Sequence, residues 1–241
     1  MNNSPKPSTP PSPWADQNAT NSSTANSSVD AARQPDNFVA RSTSDRFGHR
    51  TYVLKKQFFK MLGASFRIYE DNAENSDRLL FFSQQKAFKL KEEIRLWTGE
   101  DMKQEVLSIK ARKMLDFSGT YDVTDSATGQ KIGALRRKGL KSMLQDEWLI
   151  LDSLDREIGH IKEDSTALAI IRRFIEYAAL FLPQSFHGFV GSNPVCLFKQ
   201  NHNPFLAKIH VDFSVDTGNL LDRRLGIAAA VLLCAIEGKQ G

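Results

Sequence analysis

Basic side chains on two predicted strands are the residues of this sequence best suited to bind a ligand. Lys110 and Arg112 alternate with apolar residues, so both point to one face of an extended strand. Arg136 and Lys138 share a face of a later strand, with Arg137 on the opposite face. If the strands are neighbours, the cations form one patch that attracts anionic headgroups at about 1 kcal/mol per charge. The candidate lipid-binding residues are Lys110, Arg112, Lys113, Arg136, Arg137, Lys138 and Lys141.

A second interpretation of this patch is a solvated strand face that is charged only for solubility. The sequence leaves both interpretations open. Nucleic acid is a poorer partner, because aromatic side chains for base stacking are not interleaved with the cations. The net charge of +4 is also small for a chain that wraps nucleic acid.

Residues that commonly carry catalysis or bind metals follow no recognisable motif in this chain. The sequence lacks GxSxG, HExxH, a Walker lysine loop and GxGxxG. His210 and Asp212 share a strand face, but such a pair is more often a polar contact than a metal site. Turn chemistry accounts for Asp125, Asp152 and Asp155. These patterns favour a non-catalytic binding protein.

The elements that position the basic residues are short strands, which begin near Tyr52. Runs rich in Val, Ile, Leu, Phe and Tyr alternate with Asp, Asn, Gly and Ser, which is typical of an antiparallel meander. The clearest hairpins are residues 121–136 and 148–161, each turning after Asp-Ser and re-entering a strand through Ile-Gly. About twelve strands can be drawn before the last apolar segment.

Two segments have the pattern of helices instead. Residues 166–182 predict an amphipathic helix inserted between hairpins and ending at Pro183. Packing across the mouth of the sheet is favoured over a position on a membrane surface, because the charged face of the helix is small. Residues 225–236 are apolar on every face but too short to cross a bilayer, which needs about 20 residues. A helix of this kind belongs in a protein interior, so we expect a sheet closed around it.

The N-terminal residues 1–45 are dominated by Asn, Ser, Thr and Pro, which predicts a disordered tail ahead of a barrel domain at 46–241. No apolar run of a secretory signal follows Met1. Two cysteines without CxxC spacing fit a reducing compartment. We expect a cytoplasmic protein or one bound peripherally to the inner face of a membrane, with no cofactor. The sequence does not predict the oligomeric state.

The chain from about residue 50 to residue 238 resembles a known family. Residues 203–212, with the sequence NPFLAKIHVD, and 221–238, with LDRRLGIAAAVLLCAIEG, are similar to bacterial members of the phospholipid scramblase and LURP-one-related group. The hairpins at 128–133 and 155–159 resemble strand pairs of that group, which is part of the tubby-like superfamily. The resemblance implies a twelve-stranded barrel around a buried C-terminal helix.

The same resemblance suggests functions of three kinds. Tubby-like domains bind phosphoinositides through basic residues, which implies peripheral binding to anionic lipid or to a protein partner. Scramblase-type members imply calcium-dependent lipid movement, although no segment is long enough to span a bilayer. The corresponding calcium residues are Asp212, Asp216, Asn219 and Asp222, whose spacing departs from an EF-hand loop. A third possibility is a structural barrel whose tail recruits partners.

Overall fold

Strands with alternating buried and exposed residues make up most of the chain that the structure describes. The structure is a computed structural model, and its described residues are 1, 45–59, 63–71, 78–85, 93–112, 119–138, 147–164, 184–201 and 206–236. They contain β1 (Thr51–Phe59), β2 (Gly63–Glu70), β3 (Leu79–Gln85), β4 (Glu93–Trp97), β5 (Glu105–Ala111), β6 (Thr120–Asp125), β7 (Lys131–Arg137), β8 (Glu147–Asp152), β9 (Glu157–Glu163), β10 (Gln184–Val190), β11 (Asn193–Asn201), β12 (Leu206–Asp212) and the helix α1 (Arg223–Ile236).

The twelve strands form a closed antiparallel barrel. Each strand pairs with the strand before it, and β12 pairs with β1 over seven residue pairs to close the sheet. The pairing of β3 with β4 is the shortest, with Phe82 opposite Trp97 as its register pair. Because the ring is closed, none of the twelve described strands is an edge strand. The predicted barrel of twelve strands is confirmed.

Alternation within each strand decides which residues enter the core. On β6, Tyr121 and Val123 are buried with the inner core, while Asp122 and Thr124 lie on the other face. The same period of two places Ile94 and Leu96 of β4 inside. Each aliphatic side chain buried in this way contributes about 1.5–3 kcal/mol to folding.

Aspartate side chains close the tight turns at one end of the barrel. Between β6 and β7, Asp125 Oδ1 accepts hydrogen bonds from the backbone N–H groups of Ala127 (2.9 Å) and Thr128 (3.1 Å). Between β8 and β9, Asp152 Oδ1 accepts from Leu154 and Arg156, both at 2.9 Å. The assignment of these aspartates to turn chemistry is therefore confirmed.

Helix α1 fills the barrel interior. Every residue from 225 to 235 is buried, and Gly226 lies so close to Phe213 that an added Cβ would be 2.4 Å from the ring. Asp222 caps the helix, since its Oδ1 accepts from the N–H of Arg224 at 2.9 Å. At the other end Lys56, fully buried on β1, donates from Nζ to the carbonyl oxygen of Cys234 at 2.8 Å. The predicted interior helix is confirmed.

Two predicted segments fall outside the described residues. These are the helix at 166–182 and, apart from Met1 and Asp45, the N-terminal tail at 1–45. Within the described part of the chain, no helix combines the length and the apolar character needed to cross a membrane.

Candidate functional site

The outer wall of β5, β6 and β7 carries the predicted basic patch. Lys110 on β5 lies opposite Asp122 on β6, and Thr120 on β6 lies opposite Arg136 on β7. The N–H of Arg112 donates to the carbonyl oxygen of Thr120 at 2.9 Å, which places Arg112, Thr120 and Arg136 in one row across the sheet. We call the outward cations Lys110, Arg112, Arg136 and Lys138 the β6 face.

Strand β6 separates the two predicted strands and brings a carboxylate between their cations. Arg112 donates from Nε and Nη2 to the two carboxylate oxygens of Asp122 at 2.8 and 2.6 Å. Its Nη2 also contacts Asp155 in the turn between β8 and β9. Lys131 Nζ lies 2.6 Å from Asp155 Oδ1 and 3.2 Å from Asp122 Oδ1. Two cations and two carboxylates therefore form one network.

The charges of this network stabilise each other's ionised forms. Hydrogen bonds to Asp122 and then to Asp155 raise the pKa of Arg112. Hydrogen bonds from Lys131 and then from Arg112 lower the pKa of Asp155 to about 2. Arg112 is thus held in place by the protein, and it contributes less to an external field than a free arginine does.

The other predicted cations have different surroundings. Lys138 Nζ lies 2.9 Å from Glu147 Oε1. Lys110 is exposed and has no ion pair with a carboxylate among the described residues, and Arg136 donates from Nε to Thr120 Oγ1 at 3.2 Å. Arg137 lies on the opposite strand face, opposite the inward Trp148. Lys113 and Lys141 fall outside the described residues. Lys110 and Arg136 are therefore the cations best placed to meet an external anion.

The predicted calcium residues cap the loop that leads into α1. Asp216 is buried and accepts from the N–H groups of Leu220 at 2.8 Å and Leu221 at 3.2 Å. Arg223 donates to Asp216 Oδ2 at 3.1 Å and to Asn219 Oδ1 at 3.2 Å. A guanidinium thus lies where these two oxygens come together. Asp212 Oδ1 accepts from the N–H of Ser214 at 2.7 Å, and Asp222 caps the helix as described.

The described residues offer little support for metal binding or for thiol chemistry. Among the described residues, no group of three or more His, Cys, Asp or Glu side chains is arranged to hold a metal ion. His210 Nδ1 lies 2.9 Å from Asp71 Oδ2, so its partner is on another element and not Asp212. Burial raises the pKa of the Cys234 thiol to about 12 and also raises that of Cys196. Neither thiol is a nucleophile at neutral pH.

The model of the LURP-one-related family matches residues 79–234 of the chain. The matched region begins at the first residue of β3 and ends within α1. The chain belongs to the LURP-one-related family. That family is part of the tubby-like superfamily, in agreement with the resemblance of the C-terminal segments. A comparison with curated proteins gives no match.

This LURP-one-related barrel has a second basic surface, which the sequence reasoning missed. Lys55 on β1 lies opposite Arg67 on β2 and opposite Lys208 on β12, and Lys199 on β11 lies opposite His210. We call Arg67, Lys55, Lys208 and Lys199 the β1 face. They are scattered over the sequence, and alternation places each one outward. Their proximity depends on the closure of β1 with β12, a contact between distant segments that no local pattern predicts.

Proposed function

We propose that this LURP-one-related barrel is a non-catalytic module that binds the anionic surface of a phospholipid membrane through the β6 face. The observation that carries the proposal is the position of Lys110 and Arg136. Both lie on the outer wall, on the two strands β5 and β7 that flank β6, and neither forms an ion pair with a carboxylate among the described residues. Each cation near an anionic leaflet contributes about 1 kcal/mol of attraction.

Because the interior of the barrel is filled, a ligand is expected to bind at the outer wall. The side chains of α1 from 225 to 235 are buried against the inward residues of the strands, so the helix fills the space that a ligand would need. The inner core is apolar over most of its extent, as Phe66, Phe186 and Phe198 illustrate. An anionic headgroup would have to leave water to enter it, at a cost of several kcal/mol.

The decisive experiment is co-sedimentation of the full chain with vesicles. We expect binding to vesicles of phosphatidylcholine with phosphatidylserine and none to phosphatidylcholine alone. Lys110→Gln combined with Arg136→Gln removes two charges and about 2 kcal/mol, so affinity should fall by up to about 30-fold. Neutral glutamine keeps the strand face polar, which separates loss of charge from loss of folding.

The matched control is Lys103→Gln combined with Arg78→Gln. These two substitutions also remove two positive charges. Both residues lie outside the strands of the β6 face, and Lys103 is paired with Asp101 while Arg78 lies near Glu70. The control should bind vesicles as the wild type does. Equal losses in both variants would assign binding to net charge alone. A wild-type chain that does not bind would refute the proposal, and so would a β6-face variant that binds unchanged when Lys55, Lys199 and Lys208 of the β1 face are also replaced by glutamine.

A further inference from the structure

We propose that the β1 face is a second docking surface for anionic bilayers, and that one molecule can therefore bridge two membranes. The inference rests on the proposed function for the β6 face. It adds a surface of four cations on strands β2, β1, β12 and β11. This surface lies on the side of the barrel opposite to the β6 face.

Three cations stand side by side on this face. Arg67, Lys55 and Lys208 are direct register partners across β2, β1 and β12. Side chains at directly opposite positions have Cβ atoms about 4.5–5.5 Å apart, and like charges at such positions destabilise a sheet. Lys199 is a diagonal neighbour of Lys208, since Lys208 pairs with Asn201 two residues further along β11. A bound anionic surface would offset this repulsion.

The protein neutralises little of this charge. Arg67 Nε lies 2.6 Å from Glu100 Oε1, and Lys55 Nζ lies 4.5 Å from the centre of the Tyr69 ring. Lys55, Lys199 and Lys208 have no ion pair with a carboxylate among the described residues. His210, beside Lys199, is paired with Asp71. Within the described ranges, the face therefore presents three lysines that are not paired with a carboxylate.

The outer wall formed by β4 and β5 shows a different arrangement of charges. On β4, Arg95 lies 3.1 Å from Glu93 and 3.2 Å from Glu105 of β5. Opposite charges there are interspersed, which is the arrangement expected of a face that only confers solubility. The row of cations on β1 and its neighbours lacks this alternation, which points to an external anion as the partner.

A bilayer fits the β1 face better than a nucleic acid does. Single strands bind where bases stack on exposed aromatic rings among the cations. Beyond Met1, the large apolar side chains that are exposed in the described chain are Met102, Leu154, Val215 and Leu220, none of them aromatic. The Tyr69 ring on this face is only partly exposed and lies under Lys55 Nζ. Such a surface of lysines matches a leaflet of anionic headgroups, which is recognised by charge density alone.

The strand order places the two basic faces on opposite sides of the barrel. Going round the ring, four strands separate β1 from β6 in one direction, and four separate β12 from β7 in the other. A flat bilayer that contacts one side of a closed convex barrel cannot contact the opposite side. A molecule bound through the β6 face therefore keeps its β1 face free for a second bilayer.

Turbidity and co-sedimentation of anionic vesicles, measured on the same samples, test the inference. The wild type should bind the vesicles and raise their turbidity by clustering them, with no effect on phosphatidylcholine vesicles. Lys55→Gln, Lys199→Gln and Lys208→Gln in one chain should still bind through the β6 face but leave the turbidity at its starting level. Adding Lys110→Gln and Arg136→Gln to that chain should remove the remaining binding.

The two readouts separate failure of this inference from failure of the proposed function. Binding by the wild type without clustering, or clustering by the triple β1-face variant, overturns the bridging and leaves the β6 face intact. Absence of wild-type binding overturns both proposals. Sedimentation velocity without lipid is the control for self-association. A wild-type dimer that becomes monomeric in the triple variant would assign the β1 face to a chain contact and overturn the inference.

Discussion

At the scale of single residues, Asp155 links a turn to two strands. Its carboxylate contacts Lys131 of β7 and Arg112 beyond β5. The hydrogen bonds from Lys131 and then Arg112 lower its pKa from 3.8 to about 2. A carboxylate whose pKa is lowered on folding contributes stability that is fully present above its unfolded value and is lost as the pH falls through its folded value.

Asp155→Asn should therefore lower the free energy of unfolding near neutral pH, and the deficit should shrink as the pH falls from 3.8 towards about 2. Asparagine is the suitable replacement because residue 155 has a φ of +65°, which asparagine tolerates. Urea unfolding over a pH series measures the effect. In a Lys131→Met background the same substitution should cost less. A deficit that is independent of pH would assign the effect to the turn and not to the ion pairs.

Lys56 shows the limit of sequence reasoning at this scale. Alternation with Tyr52 and Leu54 places its side chain inward, yet a lysine is rarely fully buried without a partner. The partner is the carbonyl oxygen of Cys234, which is 178 residues away at the C-terminal end of α1. Helix C-termini favour cations. No pattern around Lys56 indicates that this end of the helix lies against β1.

At the scale of elements, the packing of α1 depends on a residue without a side chain. Gly226 lies in the first turns of the helix, where alanine normally stabilises by about 0.5–1 kcal/mol relative to glycine. Here a Cβ would lie 2.4 Å from Cε1 and 2.5 Å from Cζ of Phe213. The Phe213 ring and the helix are both buried, so neither can move aside without disturbing the core.

Gly226→Ala should consequently destabilise the barrel by about 1–3 kcal/mol, against its helix propensity. Chemical unfolding followed by circular dichroism measures the change. In a Phe213→Leu background, which removes the ring, Gly226→Ala should be less harmful or stabilising. Equal effects in both backgrounds would show that the aromatic ring is not the obstacle.

The elements that sequence reasoning found are those with local signals. Asp-Ser turns, alternation and an uninterrupted apolar run predicted the hairpins, the strand number and the interior helix. The cations of the β6 face were assigned to one outer wall for the same reason. The neutralisation of Arg112 was not foreseen, because Asp122 comes from the intervening strand β6 and Asp155 from the turn between β8 and β9. Local sequence patterns do not predict such ion pairs, because the partners lie in segments that are remote in sequence.

At the scale of the whole molecule, the distribution of charge matters more than its sum. A net charge of +4 predicts little on its own. Ion pairing on the wall of β4 and β5 and in the network of Arg112 leaves two outer faces with excess cations on opposite sides of the ring. Under the two proposals above, both faces bind a membrane through the same electrostatic attraction, so binding and clustering should respond together to ionic strength.

Raising the salt concentration should therefore release the protein from anionic vesicles. The Debye length falls from about 10 Å at 0.1 M to about 3 Å at 1 M, so exposed lysines and headgroups cease to attract each other across the interface. Co-sedimentation and turbidity should both fall to the level of phosphatidylcholine vesicles, while the unfolding transition stays in place because the core is apolar. Binding that persists at 1 M salt would mean that apolar side chains enter the bilayer, and attraction by the two basic faces would then not be its main cause.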